Sequence, residues 1–145
     1  HERLASLGAH LLRETLEKMK SGNIHPIPQD HSKATYAPPL KKEDGHIDWK
    51  KGANEIDRQV RAFNPWPGAF TKLDNRWLKI YKGEVRERTL TGKAGAVVWV
   101  GSDFIEVETG KDFFRIKEVQ LEGRRRMVIR DFLSGHFIPV GTVFV

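Results

Sequence analysis

The fold is decided by the stretch Arg61-Ala62-Phe63-Asn64-Pro65-Trp66-Pro67-Gly68-Ala69, where one pattern of apolar residues stops and another begins. Before this stretch, apolar residues recur at spacings of three and four, which predicts a helix over about residues 50–63 with Asp48 as its N-cap. Because the ring of Pro65 disfavours helical torsions at Asn64, this helix must end here. The two prolines around one tryptophan predict a rigid corner between the helix and the next element of the chain.

Downstream of the corner, short stretches rich in Val, Ile, Phe and Trp predict strands. They cover residues 69–73, 77–85, 94–100, 103–108 and 113–121, with a closing strand over 137–145. Tight turns are indicated at Asp74-Asn75 and at residues 101–103, and a short helix is predicted over about residues 128–134. The pattern indicates a mainly β fold with inserted helices, and we expect a small barrel of the oligonucleotide-binding type over residues 50–145.

Upstream of the corner, residues 25–49 predict an extended linker, because four prolines interrupt it. Residues 1–24 predict a helix that ends at Gly22, with an apolar stripe formed by Leu4, Leu7, Leu11, Leu12, Leu16 and Met19. We interpret it as the last helix of a preceding domain, and the alternative is that it packs on the rest of the chain. Since the first residue is His1, we expect the chain to begin inside a larger protein.

The composition excludes some classes of function. The chain of 145 residues has no cysteine, which rules out disulfides and thiolate metal sites. No apolar run approaches the ~20 residues of a membrane helix, so we expect no membrane partner. The lack of cysteine suits a reducing compartment, and we expect a cytoplasmic protein. The net charge of +6, from 25 basic and 19 acidic residues, favours an anionic partner such as nucleic acid. A merely soluble basic protein is the alternative.

Residues for catalysis, metal binding or cofactor binding are not evident. His46 and Asp48 could share a face of an extended segment, but no nucleophile or orienting third group accompanies them. No glycine-rich loop has the spacing that cradles phosphates. Three strand carboxylates are predicted on a solvated face: Glu106, Glu108 and Glu118. We therefore expect no catalytic residue, no metal site and no cofactor in this chain.

Basic residues form the most informative cluster. Arg124-Arg125-Arg126 follows a predicted turn, Arg115 and Lys117 alternate on the preceding strand, and Lys41-Lys42 lies in the linker. Alternate strand residues share a face, and guanidinium groups suit phosphate oxygens. The alternative is a solvated turn whose charges carry no function.

Several motifs together resemble the methionyl-tRNA formyltransferases. The linker motifs are Ala34-Thr35-Tyr36-Ala37-Pro38, Lys42-Glu43-Asp44-Gly45 and Ile47-Asp48-Trp49. The corner stretch 61–69 is similar to the family's most recognisable carboxy-domain motif, and two later motifs are Glu122-Gly123-Arg124-Arg125-Arg126-Met127 and Asp131-Phe132-Leu133. Residues 4–9 and Pro28-Gln29 resemble the end of the family's catalytic domain, so the likeness spans essentially the whole chain. One departure is Val128, where the family usually has Ser or Thr, which could cap the short helix.

The resemblance implies the carboxy-terminal portion of an enzyme that formylates methionyl-initiator-tRNA with 10-formyltetrahydrofolate. The family's folate-binding amino-terminal domain, with its catalytic Asn, His and Asp, has no counterpart here. The expected partners are that absent domain and initiator tRNA, in a bacterial or, alternatively, an organellar setting. The family's carboxy-terminal domain grips tRNA with a basic surface, which the resemblance carries onto Lys41, Lys42, Arg124, Arg125 and Arg126.

Two other functions remain open at this point. The chain could be the barrel of a related formyltransferase that acts on an amino sugar nucleotide, or a structural module that orients a catalytic domain without touching RNA. Trp66 also has two interpretations, a core plug at the corner or an exposed ring that stacks on a base. We predict the core plug, and we predict core or half-buried positions for Trp49, Trp77 and Trp99.

Overall fold

The computed structural model describes residues 2–89 and 92–145, which divide into two compact units between Pro38 and Pro39. The first unit contains helix α1, Glu2–Lys20, and a short 3-10 helix, His31–Lys33. The predicted stop of α1 is confirmed, because Gly22 has a φ of +71° and the Asn23 N–H donates to the Lys18 carbonyl at 2.9 Å. No residue of α1 is buried, and its leucine stripe is 47–72% exposed from Leu16 to Leu4.

The second unit is mainly antiparallel sheet with inserted helices, as predicted. It begins with a 3-10 helix, Lys42–Gly45, and continues with α2 (Ala53–Ala62), β1 (Ala69–Leu73), β2 (Arg76–Arg86), β3 (Val97–Val100), β4 (Ile105–Glu108), β5 (Phe113–Leu121), β6 (Met127–Val128) and α3 (Ile129–Gly135). The strand order is β1-β2-β5-β4-β3, and β6 pairs with β5. Strands β1 and β2 form a hairpin whose two turn residues, Asp74 and Asn75, have positive φ angles, as a two-residue turn of this kind requires.

The core lies between α2 and the sheet. Ala53, Ile56 and Val60 form the buried face of α2, which packs on β2 and β5. The sheet contributes buried side chains from every long strand, among them Leu78, Ile80, Val97, Ile105, Val107, Phe114, Ile116, Val119 and Leu121. Ile129 and Phe132 of α3 complete the cluster. As the valine at its N-cap position implies, α3 has no side-chain cap.

Helix α2 begins later than predicted, and Asp48 is not its N-cap. Gly52 occupies that position, and its N–H donates to the Glu55 carboxylate at 3.2 Å. The Asp48 carboxylate instead accepts from the Lys50 N–H at 3.0 Å, in a turn that places the Trp49 side chain in the core. Because Trp49 is buried in the core, the helix begins about one turn later in the sequence than predicted.

The predicted closing strand over residues 137–145 is wrong. A turn at Pro139 and Gly141, where φ is +93°, prevents a continuous strand. The segment still bonds to both edges of the sheet, because the Val97 N–H donates to Thr142 and the Lys72 N–H donates to Val145. The six strands themselves do not form a closed ring.

Two of the three carboxylates predicted on a solvated face are buried. Glu106 and Glu108 of β4 are 0% and 1% exposed, and Glu118 is partly exposed. Strand β4 lies between β3 and β5, and the Arg115 guanidinium covers its outer face, 3.5 Å from the Glu106 carboxylate. Alternation along a strand identifies its two faces, but it does not show that neighbouring residues cover both faces of β4.

Candidate nucleic-acid interface

The linker lysines are held against the sheet by the short 3-10 helix. A Cβ atom at Gly45 would overlap the Gly68 carbonyl oxygen and lie 2.8 Å from the Phe70 ring, so only glycine permits this approach. The next residues continue the contact, because the Ile47 N–H donates to the Phe70 carbonyl at 2.8 Å. The Gln59 amide of α2 donates to the carbonyl oxygens of Asp44 and His46. Lys41 and Lys42 are thereby fixed beside β1 and exposed.

Gly45→Ala is expected to lower the free energy of unfolding by about 1 to 3 kcal/mol, because the added methyl group overpacks a backbone contact. Gly135→Ala is the matched control, since Gly135 is exposed and its Cβ would meet no atom within 4 Å. Urea unfolding followed by circular dichroism compares the two. Equal stability of the two variants would contradict this account of the motif.

The arginine turn is anchored to the beginning of β2. Gly123 has a φ of +72°, and the Arg124 N–H closes the turn on the Leu121 carbonyl at 2.9 Å. The Glu122 N–H donates to the Trp77 carbonyl, and the Trp77 N–H donates back to the Glu122 carboxylate at 3.1 Å. The Gln120 amide donates to the Arg124 carbonyl at 2.8 Å. The turn therefore presents its charges from a fixed backbone.

The three arginines are not equivalent. Arg126 makes two hydrogen bonds to the Glu118 carboxylate, at 2.6 and 2.8 Å, and its guanidinium lies 4.4 Å from the centre of the Tyr81 ring. Its hydrogen bonds lower the pKa of Glu118, so the pair stays charged at neutral pH. Arg124 and Arg125 are exposed and have no ion pair within the part of the chain that the structure describes. These two keep their charge available to a ligand.

Arg115 and Lys117 share a face of β5, as predicted, but unlike Arg124 and Arg125 both are paired within the protein. Arg115 contacts the carboxylates of Glu106 and Glu84 and lies 3.9 Å from the centre of the Phe104 ring. Lys117 pairs with Asp103 at 3.1 Å. Their charges are compensated inside the protein, so they are poor candidates for phosphate contacts.

Lys42 and the arginine turn meet at one concave pocket of about 640 Å³. Its lining comprises Lys42, Glu43, His46, Phe70, Trp77, Lys79, Gln120, Leu121, Glu122 and Gly123. The pocket brings together the linker motif, the β1–β2 hairpin and the end of β5, which are far apart in sequence. Arg124 directly follows the lining residue Gly123.

One of the four tryptophans is placed differently from the prediction. Trp49 is buried as predicted, whereas Trp66, predicted to plug the core, is 59% exposed. The corner is closed by the Gly68 N–H, which donates to the Phe63 carbonyl at 2.9 Å, and Pro67 is buried in place of the tryptophan. Trp77 and Trp99 are half-buried, as predicted, and lie on the outer face of the sheet with 39% and 46% of their surface exposed.

Sequence reasoning missed the aromatic side chains of this pocket. Phe70 and Trp77 contact edge to face with ring centres 5.0 Å apart, and His46 lies 5.6 Å from Phe70. The available signal was the alternation of aromatic and basic residues, Phe70 with Lys72 and Trp77 with Lys79, on two strands joined by a two-residue turn. That turn fixes which residues pair across the hairpin.

Neither a metal centre nor a membrane-spanning helix is found in residues 2–89 and 92–145. No group of three or more histidine, aspartate or glutamate side chains is arranged to hold a metal ion there. None of the helices in those residues is long and apolar enough to cross a membrane.

Comparison with known proteins identifies relatives over most of the chain. The methionyl-tRNA formyltransferase of Geobacter metallireducens is 48% identical over 135 residues, which make up 93% of this chain and 43% of that protein. The methionyl-tRNA formyltransferase of Caldanaerobacter subterraneus is 46% identical over 143 residues, 99% of this chain and 46% of that protein. The chain therefore spans less than half the length of these relatives.

A solved structure shares the fold, and a family model identifies the family. HypX from Aquifex aeolicus, in complex with tetrahydrofolic acid, superposes with a TM-score of 0.58 at 20% identity over 90% of this chain and 26% of that protein. At that identity the likeness concerns the fold alone. Residues 39–136 match the family model described as "Formyl transferase, C-terminal domain". Since the match covers most of the chain, including the lysine motif, the corner and the arginine turn, the chain belongs to the formyl transferase C-terminal domain family.

Proposed function

We propose that this chain is the tRNA-holding, carboxy-terminal part of a methionyl-tRNA formyltransferase. The whole enzyme would transfer the formyl group of 10-formyltetrahydrofolate to methionyl-initiator-tRNA in the bacterial cytoplasm. The relatives that support this carry the name methionyl-tRNA formyltransferase at 40–48% identity and come from bacteria. The linker, corner and arginine motifs, which resemble the same family, lie within the aligned residues.

The observation that carries the tRNA-holding role is that two distant segments, each bearing uncompensated cations, border one pocket. Lys42 lines one pocket together with Glu122 and Gly123, which precede Arg124 and Arg125 in the arginine turn. Lys41 is the N-cap of the 3-10 helix that begins at Lys42. Exposed cations on fixed loops suit the phosphates of a folded RNA, which such contacts position without reading sequence. In this proposal Arg126 supports the turn through Glu118, and the other four residues contact phosphate.

The finer description of the fold is part of the proposal. We place the second unit among oligonucleotide-binding-type barrels, in which the carboxy-terminal segment spans the gap between the edge strands. The hydrogen bonds from that segment to Lys72 on β1 and to Val97 on β3 support this arrangement. The exposed leucine stripe of α1 would be covered by the amino-terminal formyltransferase domain, because an apolar stripe of this size tends to be an interface.

The proposal is tested by measuring binding and formyl transfer with the purified chain. We expect it to retard initiator and elongator tRNA alike in a native gel at low salt, since phosphate contacts read no base. We expect no binding of an amino sugar nucleotide and no formyl transfer from 10-formyltetrahydrofolate to methionyl-tRNA. Binding of the sugar nucleotide without tRNA retention would favour the related sugar enzyme, and binding of neither would favour a structural module.

A further inference from the structure

The outer face of the β1–β2 hairpin alternates aromatic and cationic side chains. In the strand register, Phe70 lies opposite Lys79, and Lys72 lies opposite Trp77. The Lys72 ammonium is 4.7 Å from the centre of the Trp77 ring. The inner face of the same hairpin is buried through Ala69, Thr71, Leu73, Leu78 and Ile80. Because alternate residues of a strand point to opposite faces, the aromatic rings lie on the outer face of the hairpin, and the side chains between them fill the core.

The three rings form part of the wall of the concave pocket. Phe70, Trp77 and His46 contact one another edge to face, so their planes differ by 65° or more. Lys42 and Lys79 line the same pocket. Two carboxylates also line the pocket. The Glu122 carboxylate accepts a hydrogen bond from the backbone N–H of Trp77, and Glu43 is exposed. The arginine turn with its uncompensated Arg124 follows the lining residue Gly123.

We propose that this pocket binds an unpaired nucleobase of the RNA, with the base against the Phe70–Trp77 rings and its flanking phosphates on Lys42, Lys79 and the arginine turn. Aromatic surface beside fixed cations is the combination that binds single-stranded nucleic acid, because every base has a π face and every nucleotide a phosphate. A purely apolar partner would gain nothing from Lys42 and Lys79, the two cations that line the pocket. This inference rests on the proposed function, to which it adds a contact with a base.

The site is tested with a short unstructured RNA, an octamer of uridine, and with an RNA duplex of similar length. Trp77→Ala is expected to weaken binding of the single strand by about 5- to 150-fold, the range for one stacked base, and to leave duplex binding nearly unchanged. Trp77→Phe, which keeps a π face, should retain most of the affinity. Trp77→Leu, which keeps only bulk, should lose affinity as the alanine variant does.

Trp99→Ala is the matched control. Trp99 is similarly exposed, contacts the ring of Phe104 edge to face and has the Arg88 guanidinium 5.3 Å from its ring centre, but it does not line the pocket. Single-strand affinity should be unchanged in this variant. Thermal melts identify any variant that fails to fold, and the phenylalanine and leucine variants then decide the question.

The outcomes separate this inference from the proposed function. If tRNA binds with a steep dependence on salt while Trp77→Ala and Trp77→Leu bind the uridine octamer normally, the base site is overturned and the tRNA-holding role stands. Equal losses in the Trp77 and Trp99 variants would also overturn the base site. If the wild-type chain binds neither tRNA nor the octamer, the proposed function and the base site both fall.

Discussion

Trp49→Ala is expected to lower the free energy of unfolding by about 3 to 5 kcal/mol, the usual cost of truncating a buried tryptophan. Trp49 is 4% exposed, and its ring centre is 5.9 Å from that of Phe144. Its indole N–H donates to the Thr71 hydroxyl at 3.0 Å, and that hydroxyl donates to the Val145 carbonyl at 2.9 Å. Trp49 thus joins the linker, β1 and the carboxy-terminal segment.

Trp66→Ala is the matched control for this effect, and we expect it to change stability by no more than about 0.5 kcal/mol, as surface substitutions usually do. Trp49→Phe should cost an intermediate amount, because it keeps a ring but removes the donor to Thr71. Guanidinium unfolding followed by circular dichroism measures all three variants. A loss at Trp66 as large as that at Trp49 would contradict the exposed corner.

Replacing Lys41, Lys42, Arg124 and Arg125 together with alanine is expected to remove most of the salt dependence of tRNA binding. Each phosphate contact contributes about 0.7 to 0.9 to the slope of log affinity against log salt, so four contacts contribute roughly 3. Those four contacts correspond to roughly a 50- to 150-fold loss of wild-type affinity between about 50 and 200 mM salt. The variant should bind weakly at low salt and lose little more as salt rises.

Two controls make this result specific. A variant with the same loss of charge at exposed cations outside the pocket should keep the wild-type slope, and suitable positions are Lys51, Arg58, Lys93 and Lys111. Arg126→Ala should reduce the slope by less than Arg125→Ala does, because Arg126 is already paired with Glu118. Equal effects of the pocket and control quadruples would mean that net charge alone attracts the RNA.

Locally determined features could be predicted from the sequence. Strand β1 has the predicted bounds, the Asp74-Asn75 turn joins the predicted strands, and Gly22 ends α1, because each depends on torsions that a few residues set by themselves. The family was also recognisable, because its motifs are long and ordered. The family match over residues 39–136 confirms that recognition.

Features that depend on distant neighbours could not be predicted. Glu106 is buried because β3, β5 and Arg115 surround it, and Trp66 is exposed because a backbone hydrogen bond and Pro67 close the corner without its ring. The carboxy-terminal residues have the composition of a strand, but Gly141 turns the chain. The type of a side chain indicates whether it can be buried, and the tertiary arrangement decides whether it is.

In the candidate site, too, local features could be predicted and features that depend on distant neighbours could not. Its cations were evident from the sequence, but their inequality was not, because the Arg126–Glu118 pair depends on the register in which the chain turns back to pair β6 with β5. The aromatic part of the pocket follows from the hairpin register, which the two-residue turn determines. Combining that register with the alternation of residue types would have identified the Phe70–Trp77 surface in advance.

The most direct test of the central claim is the slope of log Kd against log salt for the wild-type chain, measured on initiator tRNA and on an elongator tRNA. The claim is that this chain grips tRNA through its phosphates, so we expect a steep slope that corresponds to a fall in affinity of at least about 50-fold between about 50 and 200 mM salt. The slope and the affinity should be the same for both tRNAs. A flat slope, or a strong preference for initiator tRNA, would contradict the claim.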